Sequence, residues 1–176
     1  MPIVELTDGV IVLRRLREAD VPNIAAACSD PETSRFTTEL PSPYTEDDAR
    51  AYVAYAAGCW CGDERRPYAI ADMATDDLIG AIEVRLGEGA SIGYWVCPGA
   101  RRRGVATRAL TLLARWAVTE GGVERLELTT HPENVASQRV AEKAGFIREG
   151  VLRSHTRLRE GRRDSVVFSL LPRDLG

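Results

Sequence analysis

Val96-Cys97-Pro98-Gly99-Ala100-Arg101-Arg102-Arg103-Gly104-Val105-Ala106-Thr107 decides the reading of this chain, because it leaves a strand and enters a helix. A helix start presents backbone N–H groups that no earlier turn can bond, and it aims the positive end of the helix dipole outward. That combination is an anion site. Gly104 lets the backbone come close to a ligand. Ala106 is small for the same reason, and Thr107 adds a hydroxyl donor. Three successive arginines, Arg101, Arg102 and Arg103, add cationic attraction. A diphosphate is the natural guest.

The flanking residues narrow the choice of diphosphate. Gly99 and Gly104 have the glycine spacing of a Walker A loop, but Val105 and Ala106 stand where that loop needs Lys and Ser or Thr. Without them neither the terminal phosphates of ATP nor Mg²⁺ is held, which argues against an ATPase. The dinucleotide pattern G-x-G-x-x-G is absent.

Working outward, Ile92, Tyr94 and Val96 alternate with Gly93, Trp95 and Cys97, the period of a strand over Ser91–Cys97. After the loop, Gly104 to about Glu120 puts Leu110, Leu113 and Ala117 on one helical stripe, closed by Gly121-Gly122. Leu126 and Leu128 alternate with Glu127 and Thr129 on a further strand, and residues 134–144 form a helix with Gly145 at C′. Phe146 to Leu152 and Asp164 to Leu170 read as the last strands. Toward the N-terminus, Val10 to Leu13, Tyr68 to Met73 and Leu78 to Leu86 read as strands, with turns at Asp8-Gly9, Thr75-Asp76-Asp77 and Gly87-Glu88-Gly89. Asp20 to Cys28 is a short helix broken by Asp30-Pro31, and Thr45 with Glu46, Asp47 and Asp48 starts another that runs to about Gly62. Thr33 to Tyr44 reads as an irregular, substrate-facing loop. Hairpins followed by a strand–helix–strand–helix–strand unit predict an α/β (α+β) fold: a mixed, mostly antiparallel sheet with one parallel crossover and helices on both faces.

The length of 176 residues fits one domain over 1–176. A net charge of −3 gives none of the basic excess of a nucleic-acid binder. No apolar run approaches a membrane span, and Met1-Pro2-Ile3-Val4-Glu5 lacks the layout of a signal peptide, so the expected location is cytoplasmic, with no membrane partner. Cys28, Cys59, Cys61 and Cys97, with His131 and His155, have no metal-ligand spacing, and free thiols without a metal are expected.

Arg101-x-x-Gly104-x-Ala106 resembles the Q/R-x-x-G-x-G/A motif of the GNAT acetyltransferases. Ile92-Gly93-Tyr94-Trp95-Val96 before it, and Asn134-x-x-Ser137 with Glu142-Lys143-x-Gly145-Phe146 after it, are similar to the branch that contains the RimJ/RimL ribosomal-protein N-terminal acetyltransferases. The strong resemblance covers about Ser91 to Gly150. A weaker one covers Asp8-Gly9-x-x-x-Leu13-Arg14 and Ala19-Asp20.

The resemblance implies acetyl-CoA as cosubstrate, wedged between two splayed parallel strands, Ser91–Cys97 and Glu124–Thr130. Its pantetheine arm would lie against the backbone of Val96 and Cys97, where an N–H would polarise the thioester carbonyl. The pyrophosphate would sit on the amides of Arg102, Arg103, Gly104, Val105, Ala106 and Thr107. Asn134 suits an N-cap and a contact to the pantetheine amides. Ser137, one turn on, would by family analogy protonate the leaving thiolate, or else serve as a second cap. Lys143 is out of helical phase with Asn134 and Ser137 and is left aside. Cys97 lacks an activating base, and the family transfers directly. An amine acceptor needs a base or a water chain. Glu83 and Glu127, mid-strand among apolar residues, are the candidates, against a bland alternative of exposed faces or ion pairs with arginine.

The function implied is acetyl transfer to a primary amine, a protein N-terminus or a small molecule. The alternative is a non-catalytic acyl-CoA-binding or regulatory module. Dimers are common in the family, so a homodimer is compatible with the resemblance, but no segment specifies one.

Overall fold

The computed structural model describes residues 4–37, 40–158 and 161–175. Eight strands make one sheet: β1 (Leu6–Thr7), β2 (Ile11–Arg14), β3 (Arg65–Asp72), β4 (Leu78–Arg85), β5 (Ser91–Val96), β6 (Leu126–Thr130), β7 (Ile147–Leu158) and β8 (Gly161–Leu170). Five helices accompany it: α1 (Val21–Ser29), α2 (Pro31–Phe36), α3 (Glu46–Cys59), α4 (Val105–Thr119) and α5 (Val135–Lys143). The strand order is β1-β2-β3-β4-β5-β6-β8-β7. Every pairing is antiparallel except β5 with β6. Among the described residues no helix is long and apolar enough to cross a membrane.

Strand alternation divides the apolar side chains between two faces. On one face Ile70, Ile82, Ile92, Leu128 and Phe168 meet the α4 stripe of Leu110, Leu113 and Ala117 and, from α5, Ala141. On the other face Ala69 and, beyond a register shift between β3 and β4 that reverses the alternation, Leu78 meet Ile24 and Cys28 of α1 and Ala49 and Ala56 of α3. Helices therefore cover both faces, as the order of elements implied. A buried ion pair ties β2 to the start of α1 and to the β3–β4 turn. Arg14 donates to both oxygens of Asp20, at 2.9 and 2.8 Å, and to Asp76 of that turn at 2.7 Å.

Several elements differ from the sequence reading. Asp30-Pro31 does end α1, but the same residues begin α2. The Asp30 side chain accepts from the Thr33 amide, Pro31 occupies the first turn and Glu32 complements the dipole there. The first part of the expected loop, Thr33 to Phe36, is therefore helical; residues 38 and 39 of that loop lie outside the described residues. The last hairpin is longer than read, with β7 continuing past Leu152 to Leu158. Arg153, Ser154 and His155 carry no apolar period there, and the register shifts between Leu152 and Thr156. β8 lies between β6 and β7, so the last two strands in sequence exchange places in space.

Gly80 positions the β4–β5 pair. A Cβ on it would lie 2.6 Å from the Trp95 carbonyl oxygen and 3.2 Å from the Val96 Cα. Gly80→Ala should therefore push β5 outward and lower the unfolding free energy by about 2 kcal/mol, the usual cost of overpacking. Chemical denaturation measures this, and an unchanged midpoint would show that the sheet absorbs the methyl without strain.

Candidate active site

β5 and β6 are held together at one register, Ser91 opposite Glu127, where the Glu127 amide donates to the Ala90 carbonyl at 2.9 Å. Beyond it the strands part. The gap opens into a cleft of about 1050 Å³, walled by Tyr94 and Val96 on one side and by Leu128 to His131 on the other.

Strand parity says which backbone groups face the gap. Cys97 N–H donates to the Ile79 carbonyl at 2.9 Å, so Cys97 and, by alternation, Trp95 and Gly93 direct their amides and carbonyls toward β4. Tyr94 and Val96 direct theirs into the cleft. The Cys97 carbonyl is also taken, by the Ala100 amide at 2.9 Å. Cys97 thus has no free backbone group and does not line the cleft, whereas Val96 and Tyr94 do. Burial pushes the Cys97 thiol up to about 11, far from a thiolate at neutral pH.

The loop at the head of the cleft is shaped for close approach. Arg102 and Gly104 both have left-handed backbone, with φ of 61° and 77°, and Gly104 is the N-cap of α4. The first helical amide with a protein acceptor is that of Arg108, bonded to the Gly104 carbonyl at 3.0 Å. The amides of Arg102 to Thr107 have no acceptor among the described residues, as expected of a helix start that holds an anion. Of the residues expected here, Arg101, Arg102, Gly104, Val105, Ala106 and Thr107 line the cleft and Arg103 does not.

The Arg101 guanidinium is committed within the protein. It bonds Asp30 at 2.6 Å, Thr33 at 2.8 Å and Glu32 at 2.9 Å, tying the loop to α2. The Arg101 hydrogen bond, with that from the Thr33 amide, holds the Asp30 carboxyl below its ordinary value. At its other end α2 reaches the segment after β6: Arg35 pairs with Glu133, and the Phe36 and His131 rings lie 5.8 Å apart. α2 therefore bridges both lips of the cleft.

On α5, Asn134 caps the helix by accepting from the Ser137 amide at 3.1 Å. The Ser137 hydroxyl is thereby left out of capping and meets the Tyr94 hydroxyl at 3.0 Å. Burial holds the Tyr94 phenol above its ordinary value, so it is protonated at neutral pH and able to donate. In the sequence Tyr94 reads as a strand residue and as part of the motif before the loop, with no chemical role; nothing local signals a partner 43 residues away. Arg139 and Lys143 of α5 also line the cleft, against the helical-phase argument that set Lys143 aside.

The two carboxylates separate. Glu83 lines the cleft and is held by Arg65 at 3.0 Å, which also donates to the Tyr55 hydroxyl at 2.7 Å. Glu127 does not line it. Its side chain accepts from Arg125 at 2.8 Å, in a surface group with Glu149 and Ser169.

Residues 11–147 match the acetyltransferase (GNAT) domain family. Over 117 residues the chain is 32% identical to a protein named Probable N-acetyltransferase YjcK of Bacillus subtilis (strain 168), covering 64% of this chain and, just under two thirds, 65% of that one. It is 28% identical to the uncharacterized N-acetyltransferase YoaA of the same organism over 98% of this chain and 99% of that one. Its fold is that of Mycobacterium smegmatis RimJ in complex with CoA-disulfide, with a TM-score of 0.85 and 21% identity over 98% of this chain and 88% of that one.

If Arg101 tethers α2, Arg101→Gln should speed amide exchange in residues 31–36 while leaving the middle of α4 protected. The acid dependence has a definite sign. Because the Asp30 pKa is lowered on folding, the tether contributes fully above the ordinary aspartate pKa and is lost as pH falls through the lower, folded value. Exchange in α2 that is equally slow in wild type and variant would remove the tether from the account.

Proposed function

From the chain's place in the acetyltransferase (GNAT) domain family, to which it belongs, we propose that it moves an acetyl group from acetyl-CoA directly to a primary amine. The observation that carries this reading is the parting of β5 and β6 beside a helix start whose amides have no protein acceptor among the described residues. An extended amide chain can add to the Tyr94 and Val96 edge, and a pyrophosphate can take the amides of Arg102 to Thr107. The CoA complex of the RimJ relative supports the same ligand class.

Acetyl-CoA supplies an activated carbonyl; the residues of this chain do the rest. The Val96 or Tyr94 N–H polarises the thioester oxygen as negative charge develops there. The amine nitrogen attacks the carbonyl carbon, the C–S bond breaks, and a proton moves to sulfur from the Ser137–Tyr94 hydroxyl pair. Glu83, through water, accepts the proton that the amine loses. Phe36, Tyr52 and Trp95 line the same cleft and give the acceptor an apolar bed. The acceptor is a protein N-terminus or a small-molecule amine. A non-catalytic binding module would not require Ser137 and Glu83 to face the cleft, and both do.

The test is thiol release from acetyl-CoA over a panel of N-terminal peptides and small amines. Amine-dependent release is expected; no binding of CoA at all would sink the reading. Ser137→Ala should lower kcat about tenfold and the Ser137→Ala/Tyr94→Phe pair about a hundredfold, within the range of general acid catalysis. Cys97→Ala should keep most of the wild-type kcat, since a transfer without a thiol intermediate does not use it; loss of turnover in a folded Cys97→Ala protein would instead point to a covalent route.

A further inference from the structure

The charged side chains that line the cleft fall into two groups. Among the described residues these are the carboxylates Glu32, Glu83 and Asp164 and the cations Arg85, Arg101, Arg102, Arg139 and Lys143. Every carboxylate has a protein partner: Glu32 takes Arg101, Glu83 takes Arg65, and Asp164 accepts from the Ser154 amide at 2.8 Å. Of the cations only Arg101 is paired within the described residues. Arg102 stands in the loop, and Arg139 and Lys143 on the helix that follows β6, so all three flank the parted ends of β5 and β6 where the cosubstrate is placed. Arg85 instead lies opposite Ser91, at the end where β5 still pairs with β6. That is about 16 Å along the strand from Val96.

Strand pairing fixes what surrounds Arg85. Ile82 and Val84 belong to the core under α4, so Glu83 and Arg85 look out side by side from the opposite face of β4. Ala81, paired with Trp95, precedes them on that face. The face thus runs from Trp95 through Glu83 to Arg85. Directly opposite Arg85 on β3 is Arg65, and like charges facing each other across a sheet destabilise it. Arg65 donates to Glu83 at 3.0 Å and to the Tyr55 hydroxyl at 2.7 Å. The carboxylate beside the two arginines is therefore drawn to Arg65. Arg85 is left exposed, without a hydrogen bond or ion pair to any described residue.

We propose that Arg85 selects the acceptor: it holds a carboxylate that the substrate carries near its amine, on a small molecule or as an acidic side chain close to a protein N-terminus. The inference rests on the proposed transfer to an amine at Glu83. With the amine beside Glu83, a carboxylate about 6 to 7 Å farther along the strand, two residues on, meets the Arg85 fork. A planar guanidinium takes a carboxylate through two parallel charge-assisted hydrogen bonds, which a neutral amide of the same shape cannot match. The added negative charge also offsets the repulsion from Arg65.

The test uses acceptors in matched pairs, acid against amide: N-terminal peptides with Glu or Gln at each of the first few positions, and ω-amino acids of graded length against their amides. In thiol-release kinetics wild type should favour the acid in kcat/KM by about tenfold or more, the scale of a charge-assisted hydrogen bond. The set that shows this preference identifies the source of the carboxylate. Arg85→Gln should bring the ratio to near one by lowering kcat/KM for the acid alone, Arg85→Lys should keep part of it, and Arg85→Glu should turn it below one. A wild-type ratio near one in both sets, a ratio that survives Arg85→Gln, or an equal loss for acid and amide would each overturn the assignment; the last would leave Arg85 a structural role only. Calorimetry of the same pairs on the CoA-bound protein reads the ratio without turnover. An acid preference there that depends on Arg85, with no transfer to any amine, would uphold the carboxylate site and overturn the proposed acetyl transfer instead.

Discussion

Everything at the centre of this molecule depends on two parallel strands that agree on a single register and then separate. Backbone donors and acceptors in a sheet interior are normally consumed by neighbours, and leaving them unpaired away from water is costly. Here the split at Ser91 and Glu127 leaves the cleft-facing groups of Tyr94 and Val96 for something that is itself chain-like. The rest of the sheet preserves the split. β4 holds β5 from one side through six paired residues, and β8 holds β6 from the other through five. Neither strand can relax toward its parallel partner without giving up an antiparallel one.

Around that gap the sequence deploys two kinds of polar group. Backbone amides and hydroxyls face the cleft: the loop amides, Thr107, Ser137 and Tyr94. Most of the fixed charge nearby is already paired and holds pieces of protein together. Arg101 fastens α2, Arg65 fastens Glu83, and Arg125 gathers Glu127 and Glu149 on the surface. Desolvated neutral donors serve a reacting carbonyl better than charges that must first be stripped of partners.

How much of this could be read from the residues depends on distance along the chain. The loop and its helix were legible because their signal is contiguous: strand alternation, then Gly104, then a stripe at helical spacing. The Asn134 cap was legible for the same reason. α2 was not, since its few polar residues have no apolar period, although Asp30-Pro31-Glu32 is a start signal as well as a stop. Which backbone groups of Cys97 face the gap is set by strand parity against the partner strand and not by Cys97 itself, so it has no local signal. Lys143 is out of helical phase with Asn134, Ser137 and Ala141, but the cleft wraps around α5, so the row Ala136, Val140 and Lys143 faces it too. Glu127 lies toward the surface, where its carboxylate accepts from the Arg125 guanidinium, and the third member of that group, Glu149, lies on a strand whose place in the sheet no local pattern gives.

The tie between Arg101 and α2 also bears on how such a protein can change over time. Asp30 and Glu32 belong to the half of the chain that precedes the sheet's centre, and Arg101 to the half that carries the loop. The N-terminal helices cannot drift or be exchanged for those of a relative as an independent cassette, since a new α2 without acids would strand a half-buried guanidinium at the mouth of the cleft. The two halves are bound to vary together: a replacement of either needs a matching acid or base from the other, and position 101 becomes a compatibility mark between them.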